Sequence, residues 1–256
     1  GWMKIRVGIP ETTGSFPLAL RRIGAPAMIS AGALWTGAAF KLTGRYCRFL
    51  DKALDRGGFV CGGKFPWSLP QYVRLAWQDI WAWWSQPDLP CEQALAPDRA
   101  AVLDRIRRSA QMYRDCAAEA ARQRGSGMSA ALSDPVPVLQ GRDPDDYKIS
   151  ADLLSPLPEF VGVGSMCTRE VRDAVEITEA LDKFLPPHVT LHLYGVKGPA
   201  LRYLQQIPRV VSVDSMAWDF RARKARGTGA SKTTDRVAEM LRWYATQRAM
   251  LGETTP

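Results

Sequence analysis

Apolar residues recur along this chain in short runs, and longer stretches with helical spacing lie between them. Strand-like runs fall at residues 4–9, 26–34, 48–55, 79–84, 136–139, 159–163, 190–194 and 209–213. Helical spacing marks 68–77, after the breaks at Pro66 and Pro70, and 98–123, which Asp98 opens as an N-cap. The same spacing marks 168–184, opened by Thr168 with acids in its first turns, and a short helix at 199–206 with Pro199 at its start. A last helix is predicted at 231–251, capped by Ser231 or Thr233. Residues 125–133 and the basic stretch 221–231 read as loops.

Strands separated by helices predict a parallel sheet. Units of this kind over 256 residues predict a (β/α)8-type TIM barrel, closed or irregular, as a single domain spanning 1–256. A doubly wound open sheet is the alternative. It would carry a Gly-rich dinucleotide loop after an early strand, and the sequence has none. No repeat of fixed period and no domain boundary interrupts the pattern.

Composition adds exclusions. The chain is 46% hydrophobic and 23% charged, an ordinary globular balance that supports a core without disulfide or metal staples. No stretch approaches the roughly 20 apolar residues of a membrane span, and the first residues lack a signal-peptide pattern. The five cysteines, at 47, 61, 91, 116 and 167, form no C-x-x-C, and neither His188 nor His192 stands at zinc-finger spacing from a cysteine pair. No metal is expected, and reduced thiols point to a cytoplasmic protein. Charge changes the picture more. The net charge is +8, and 25 of the 34 basic residues are Arg, whose rigid fork suits phosphate. A polyanionic partner is one reading; an Arg-biased genome with a solvated basic surface is the other.

In a parallel barrel, chemistry sits at the carboxyl ends of the strands. Those ends carry Asp55 before Gly57-Gly58, Asp88 after Trp84, Gln140 before Gly141, Gly162 and Gly164 around Val163, Gly195 after Tyr194, and Asp214. Singly, each has a plainer role. Asp caps the next helix, Gly serves a turn, and Gln140 ties down a loop. The cluster Trp77, Trp81, Trp83 and Trp84 reads as core, and His192, inside a strand, reads as a satisfied core residue. The recurrence of polar residues at one end of the sheet is what favours a site. Two carboxylates can perform glycosyl transfer, one attacking the anomeric carbon and the other handling the proton. A third carboxylate and a carboxamide suit a guanine-like edge, glycines let backbone N–H groups approach it, and the Phe59 ring could cover one face.

These residues resemble a known family. Leu54-Asp55-Arg56-Gly57-Gly58-Phe59 is similar to the Asp-Ser-Gly-Gly-aromatic motif of the tRNA-guanine transglycosylases. Pro87-Asp88-Leu89-Pro90-Cys91-Glu92 resembles their strand-end Asp motif, in the Asp-x-x-Cys-Glu form of the deazapurine DNA-modification branch, the DpdA-type DNA guanine transglycosylases. Val138-Leu139-Gln140-Gly141, the segment from Phe160 through Ser165, and Leu193-Tyr194-Gly195-Val196 resemble the Val-Gln-Gly, glycine-rich and Met-Gly-Val-Gly segments. Val213-Asp214-Ser215-Met216-Ala217-Trp218 resembles the nucleophile motif, again in its DNA-branch form. The matches run in family order from Asp55 to Arg223, and the first 45 residues match nothing specific.

The resemblance implies a barrel enzyme that exchanges guanine in DNA for a 7-deazaguanine, such as 7-cyano-7-deazaguanine, with no cofactor. Asp214 would be the nucleophile on C1′ and Asp55 the general acid/base. Asp88 and Gln140 would read the base edge. Gly141, Gly162, Val163, Gly164, Tyr194 and Gly195 would complete the base pocket, with Phe59 stacking on the base. Two departures stand out. The family's zinc-binding Cys/His cluster after the nucleophile has no counterpart in residues 227–236, which counts against a normal tRNA substrate. Arg56 replaces the usual Ser beside the general base, where it would favour ionised Asp55 or clamp a phosphate. Arg221, Arg223 and Lys224, just after the nucleophile motif, would meet the phosphodiester backbone at the rim. The same exchange on tRNA or a free nucleoside, and a barrel that binds nucleic acid without catalysis, are the competing readings. A partner protein and a homodimer both stay open.

Overall fold

Continuous apolar runs suit strands buried on both faces, as parallel strands flanked by helices are. The computed structural model, which describes residues 3–127, 132–224 and 232–252, contains eight such strands. In chain order the elements are β1 (Lys4–Gly8), α1 (Ser15–Ile23), β2 (Ala27–Ser30), β3 (Lys52–Asp55), α2 (Gly58–Cys61), α3 (Leu69–Gln78), β4 (Trp83–Trp84), α4 (Arg99–Gly125) and β5 (Val138–Leu139). There follow α5 (Pro144–Leu154), β6 (Phe160–Val163), α6 (Val171–Phe184), β7 (Thr190–Leu193), α7 (Leu201–Leu204), β8 (Val210–Ser215), α8 (Ala217–Lys224) and α9 (Thr233–Met250). The sheet order is β4-β3-β2-β1-β8-β7-β6-β5, and every pair is parallel. This is the expected (β/α)8 architecture in incomplete form. Between β2 and β3 a single 3₁₀ turn, Ala31–Ala33, replaces a helix.

The two end strands, β4 and β5, face each other across a seam. An isolated parallel bridge joins Ser85 to Val136 there, with Val136 N–H donating to Trp84 O at 2.8 Å and Gln86 N–H to Val136 O at 2.9 Å. The buried Gln86 amide extends this closure. Its oxygen accepts from Val138 N at 2.9 Å, and its nitrogen donates to Ser109 O and Pro87 O, each at 2.8 Å. Gln86→Leu, which keeps the volume and removes the amide, strands buried backbone groups. It is expected to lower the unfolding free energy by about 2–4 kcal/mol. Urea denaturation checks this; an unchanged midpoint would show that the seam does not depend on the amide.

Several helix ends follow from local sequence. Asp98 caps α4, as expected, by accepting from Ala101 N at 2.8 Å. Ser68 and Gln71 form a capping box at α3. Other expectations are corrected. The helix predicted from Thr168 begins at Val171, with Glu170 at its N-cap. The last helix begins at Thr233 with Lys232 at the N-cap and no side-chain cap, so Thr233 is not the cap; Ser231 lies outside the described residues. The basic stretch from 221 is helical through Lys224 in α8, and 225–231 lie outside the described residues. The strand predicted from Asp79 shrinks to Trp83–Trp84, because the Asp79 carboxylate is occupied elsewhere. It pairs with buried Lys52 at 3.1 Å and accepts from Thr43 N at 3.1 Å.

The first 45 residues, which match no motif, supply β1 and β2 in the middle of the sheet order. The start of α8 is tied to this beginning. Trp218 Nε1 donates to Gly8 O at 3.0 Å, and its ring lies 5.4 Å from that of Phe16. No helix among the described residues is long and apolar enough to cross a membrane.

Candidate active site

Asp55 is the last residue of β3, Asp88 follows β4, Gln140 follows β5, Gly164 follows β6, Gly195 follows β7 by two residues, and Asp214 is the penultimate residue of β8. Parallel pairing therefore brings these residues to one end of the barrel. The three carboxyl groups lie close enough for Asp55 to feel the other two. Burial, then the charges of Asp88 and Asp214, push the Asp55 carboxyl up to about 8. Its Oδ2 accepts from Gly57 N at 2.9 Å, a turn that places Gly57 at φ +83°. Burial, then the charge of Glu92, push Asp88 up to about 7, against the lowering effects of Gln140, Arg56 and Arg105.

Asp88 and Gln140 meet directly. The Gln140 amide nitrogen donates to Asp88 Oδ2, Ser165 Oγ donates to Gln140 Oε1, and Cys91 N donates to Ser165 Oγ at 2.7 Å. Two glycines make room for this chain. A Cβ at Gly164 would collide with the Gln140 amide, and one at Gly58 would lie 2.9 Å from Asp88 Oδ1. Gly162 and Gly141 serve packing in the same way, against the Tyr194 ring and against Asp146 and Tyr147. Val163, between Gly162 and Gly164, is buried at the end of β6.

Asp214 is held from a different side. Its Oδ1 accepts from Gly195 N at 3.1 Å and lies 3.2 Å from His192 Nε2. Gly195 stands at φ +68° with the Cys167 side chain against it, so a larger residue fits neither the backbone nor the space. Tyr194 turns its ring edge toward His192, 4.6 Å between centroids. The Cys167 thiol is pushed up by burial and by the charges of Asp214, Glu92, Asp55 and Asp88, which sets it amid all four carboxyl groups.

The structure corrects one sequence reading and extends another. Arg56 is buried, with its guanidinium 4.0 Å above the Phe65 ring and 5.2 Å from that of Tyr72, so it is stacked inside the wall and not presented to a phosphate. Its charge acts on Asp88, while toward Asp55 it offers its backbone N–H. His192 is buried, as a core residue would be, yet it contacts Asp214. Ser165 and Glu92 also went unassigned, although Glu92 stands in the Asp88 motif. Arg221 is exposed on α8; the side chains of Phe59, Arg223 and Lys224 lie outside the described residues. Among the described residues, no three His, Cys, Asp or Glu side chains form a metal-ligand group.

A sequence model of the DpdA family, described as deoxypurine in DNA protein A, matches residues 69–254. The chain belongs to this family. DpdA is the DNA guanine transglycosylase branch, so membership points to a DNA-modifying transglycosylase enzyme. The DpdA match includes Asp88, Gln140 and Asp214 and begins after Asp55. Strand register supplies what the match leaves out: β3, which ends in Asp55, pairs with β4 through Ala53–Trp83 and Leu54–Trp84. A comparison with curated proteins finds no match.

Proposed function

We propose that this protein exchanges guanine in DNA for a 7-deazaguanine, such as 7-cyano-7-deazaguanine, through a covalent aspartyl-glycosyl intermediate. The observation that carries this reading is the grouping of Asp55, Asp88 and Asp214 at one end of the barrel, each with different surroundings. Asp214 attacks C1′ of a guanosine that has left the stack; the C1′–N9 bond breaks as Asp55 gives a proton to the departing guanine. The incoming deazaguanine then gives its N9 proton to Asp55, attacks C1′, and releases Asp214 as carboxylate. Two inversions give net retention. Bond energy passes through the aspartyl ester, so no cofactor is required.

Asp88 and Gln140 satisfy each other without a base. In this reading a guanine edge separates them. Asp88 accepts from the ring N–H and exocyclic amine, and the Gln140 amide nitrogen turns to the carbonyl. Backbone at Gly141, Gly162, Val163, Gly164 and Gly195, the Tyr194 ring, and Phe59 complete the pocket. Arg221, Arg223 and Lys224 contact phosphates, and this role no longer includes Arg56.

The test is an exchange assay with labelled guanine on duplex DNA, single-stranded DNA, tRNA and free guanosine. Label is expected to enter DNA, with initial rates falling steeply as salt rises. Label entering only tRNA or guanosine would move the acceptor. Label entering none, with DNA binding retained, would favour a barrel that binds nucleic acid without catalysis.

A further inference from the structure

We propose that His192 is the positioning residue of the nucleophile: it holds Asp214 by one oxygen and leaves the other free to attack C1′, while Ser212 sets which imidazole nitrogen carries the proton. This rests on Asp214 being the nucleophile of the proposed reaction. Ser212 and Asp214 are two residues apart on β8, so their side chains share a face. His192 on β7 is paired in register with Ser212, and its ring spans both: Nδ1 lies 2.8 Å from Ser212 Oγ and Nε2 lies 3.2 Å from Asp214 Oδ1. The ring has little freedom to turn, since Trp83 and Tyr194 stand edge-on to it at centroid distances of 4.8 and 4.6 Å.

The proton arrangement follows from donor and acceptor counting. An ionised carboxylate can only accept, so Nε2 carries the hydrogen. Burial favours the uncharged ring, which makes Nδ1 an acceptor and Ser212 its O–H donor. Gly195 N–H reaches the same Oδ1 at 3.1 Å. Two uncharged donors thus converge on Oδ1, and the lone pairs of Oδ2 are directed to the substrate. When Oδ2 bonds to C1′, Oδ1 becomes the ester carbonyl with both donors in place. When the incoming base displaces the ester, negative charge returns to an oxygen already met by them. A charged donor would hold the carboxylate more strongly and blunt its attack.

His192→Phe keeps a ring between Trp83 and Tyr194 and removes the hydrogen bond. It is expected to lower the single-turnover rate by about 10- to 100-fold, with the Kd for 7-cyano-7-deazaguanine unchanged and a loss of stability no larger than that of Ser212→Ala, which breaks the same buried hydrogen bond. His192→Gln, whose amide nitrogen can reach Asp214, should recover part of the loss, and Ser212→Ala should cost only a few-fold. An unchanged rate in His192→Phe, or a loss that tracks stability and is not rescued by Gln, would reduce His192 to a packing residue. A second measurement does not need turnover. The chain has two histidines, so His188→Gln leaves one imidazole to read by ¹⁵N NMR. A neutral ring protonated at Nε2, shifting toward mixed tautomers in Asp214→Ala, is expected; a ring protonated at Nδ1 would overturn the arrangement. If the wild type exchanges no label on any acceptor, the proposed reaction fails, and the NMR result still decides whether His192 holds Asp214.

Discussion

Replacing Asp214 by Asn is expected to lower base exchange by a factor on the order of 10⁴ or more while the protein stays folded and bound to DNA. The substitution is nearly isosteric. The Asn carbonyl oxygen can still accept from Gly195 N and His192 Nε2, the two contacts that the structure gives Asp214 Oδ1. Only the second oxygen is exchanged, for an amide nitrogen with no nucleophilic lone pair. Stability should therefore not change, and the loss can be assigned to the missing covalent step. Labelled-guanine exchange measures the rate, and acid quenching of wild type with DNA should trap a protein–DNA adduct that the variant never forms. Turnover within about tenfold of wild type would remove Asp214 from the chemistry.

The second large effect is expected at Asp55, in both rate and stability. A carboxyl at about 8 keeps its proton at neutral pH, as a general acid needs. Asp55→Asn should cost about 10²- to 10⁴-fold in exchange, and the wild-type rate of guanine release should fall as pH rises through about 8. The effect on stability has the opposite sign to that of an ordinary salt-bridged carboxylate. An unfolded Asp loses its proton near pH 4, whereas folded Asp55 holds it until about 8. The folded state binds more protons across that window, so its stability is fully present below about pH 4 and declines as pH rises toward 8. Asp88, at about 7, acts in the same direction and titrates with it. Asp55→Asn should thus flatten, without abolishing, the fall in unfolding free energy between pH 5 and pH 9. Urea titrations at those two pH values test this; parallel losses in wild type and variant would mean that Asp55 is ionised throughout.

The strand ends were readable because each carries a residue that chemistry or backbone geometry requires: Asp55, Gln140, Gly195 and Asp214 all stand where sequence placed them. The helix α4 was readable for a local reason, since Asp98 bonds its own first turn. What escaped depends on partners distant in sequence. The buried face of α5 includes Asp146 and Ser150, so its apolar periodicity is broken. Arg56 read as a partner for Asp55 or for a phosphate because nothing in its neighbourhood announces that the rings of Phe65 and Tyr72 will receive it. The role of His192 hangs on the register between β7 and β8, which shifts between Leu191 and His192. An imidazole one place out of register would miss both Ser212 and Asp214.

The seam between β4 and β5 has a consequence for recognition. Asp88 follows one of these strands and Gln140 the other, and their hydrogen bond crosses the line where the sheet ladder is interrupted. In the proposed reading, the pair that inspects the base is also a clasp on the barrel, just above the bridge at Ser85 and Val136. A base that enters between them opens the clasp and must supply its own edge to fasten it again. A purine that matches both sides restores the fastening, whereas one that matches a single side leaves the barrel undone at its thinnest point. On that proposal, discrimination among bases would be written into the integrity of the fold as well as into the contacts with the ligand.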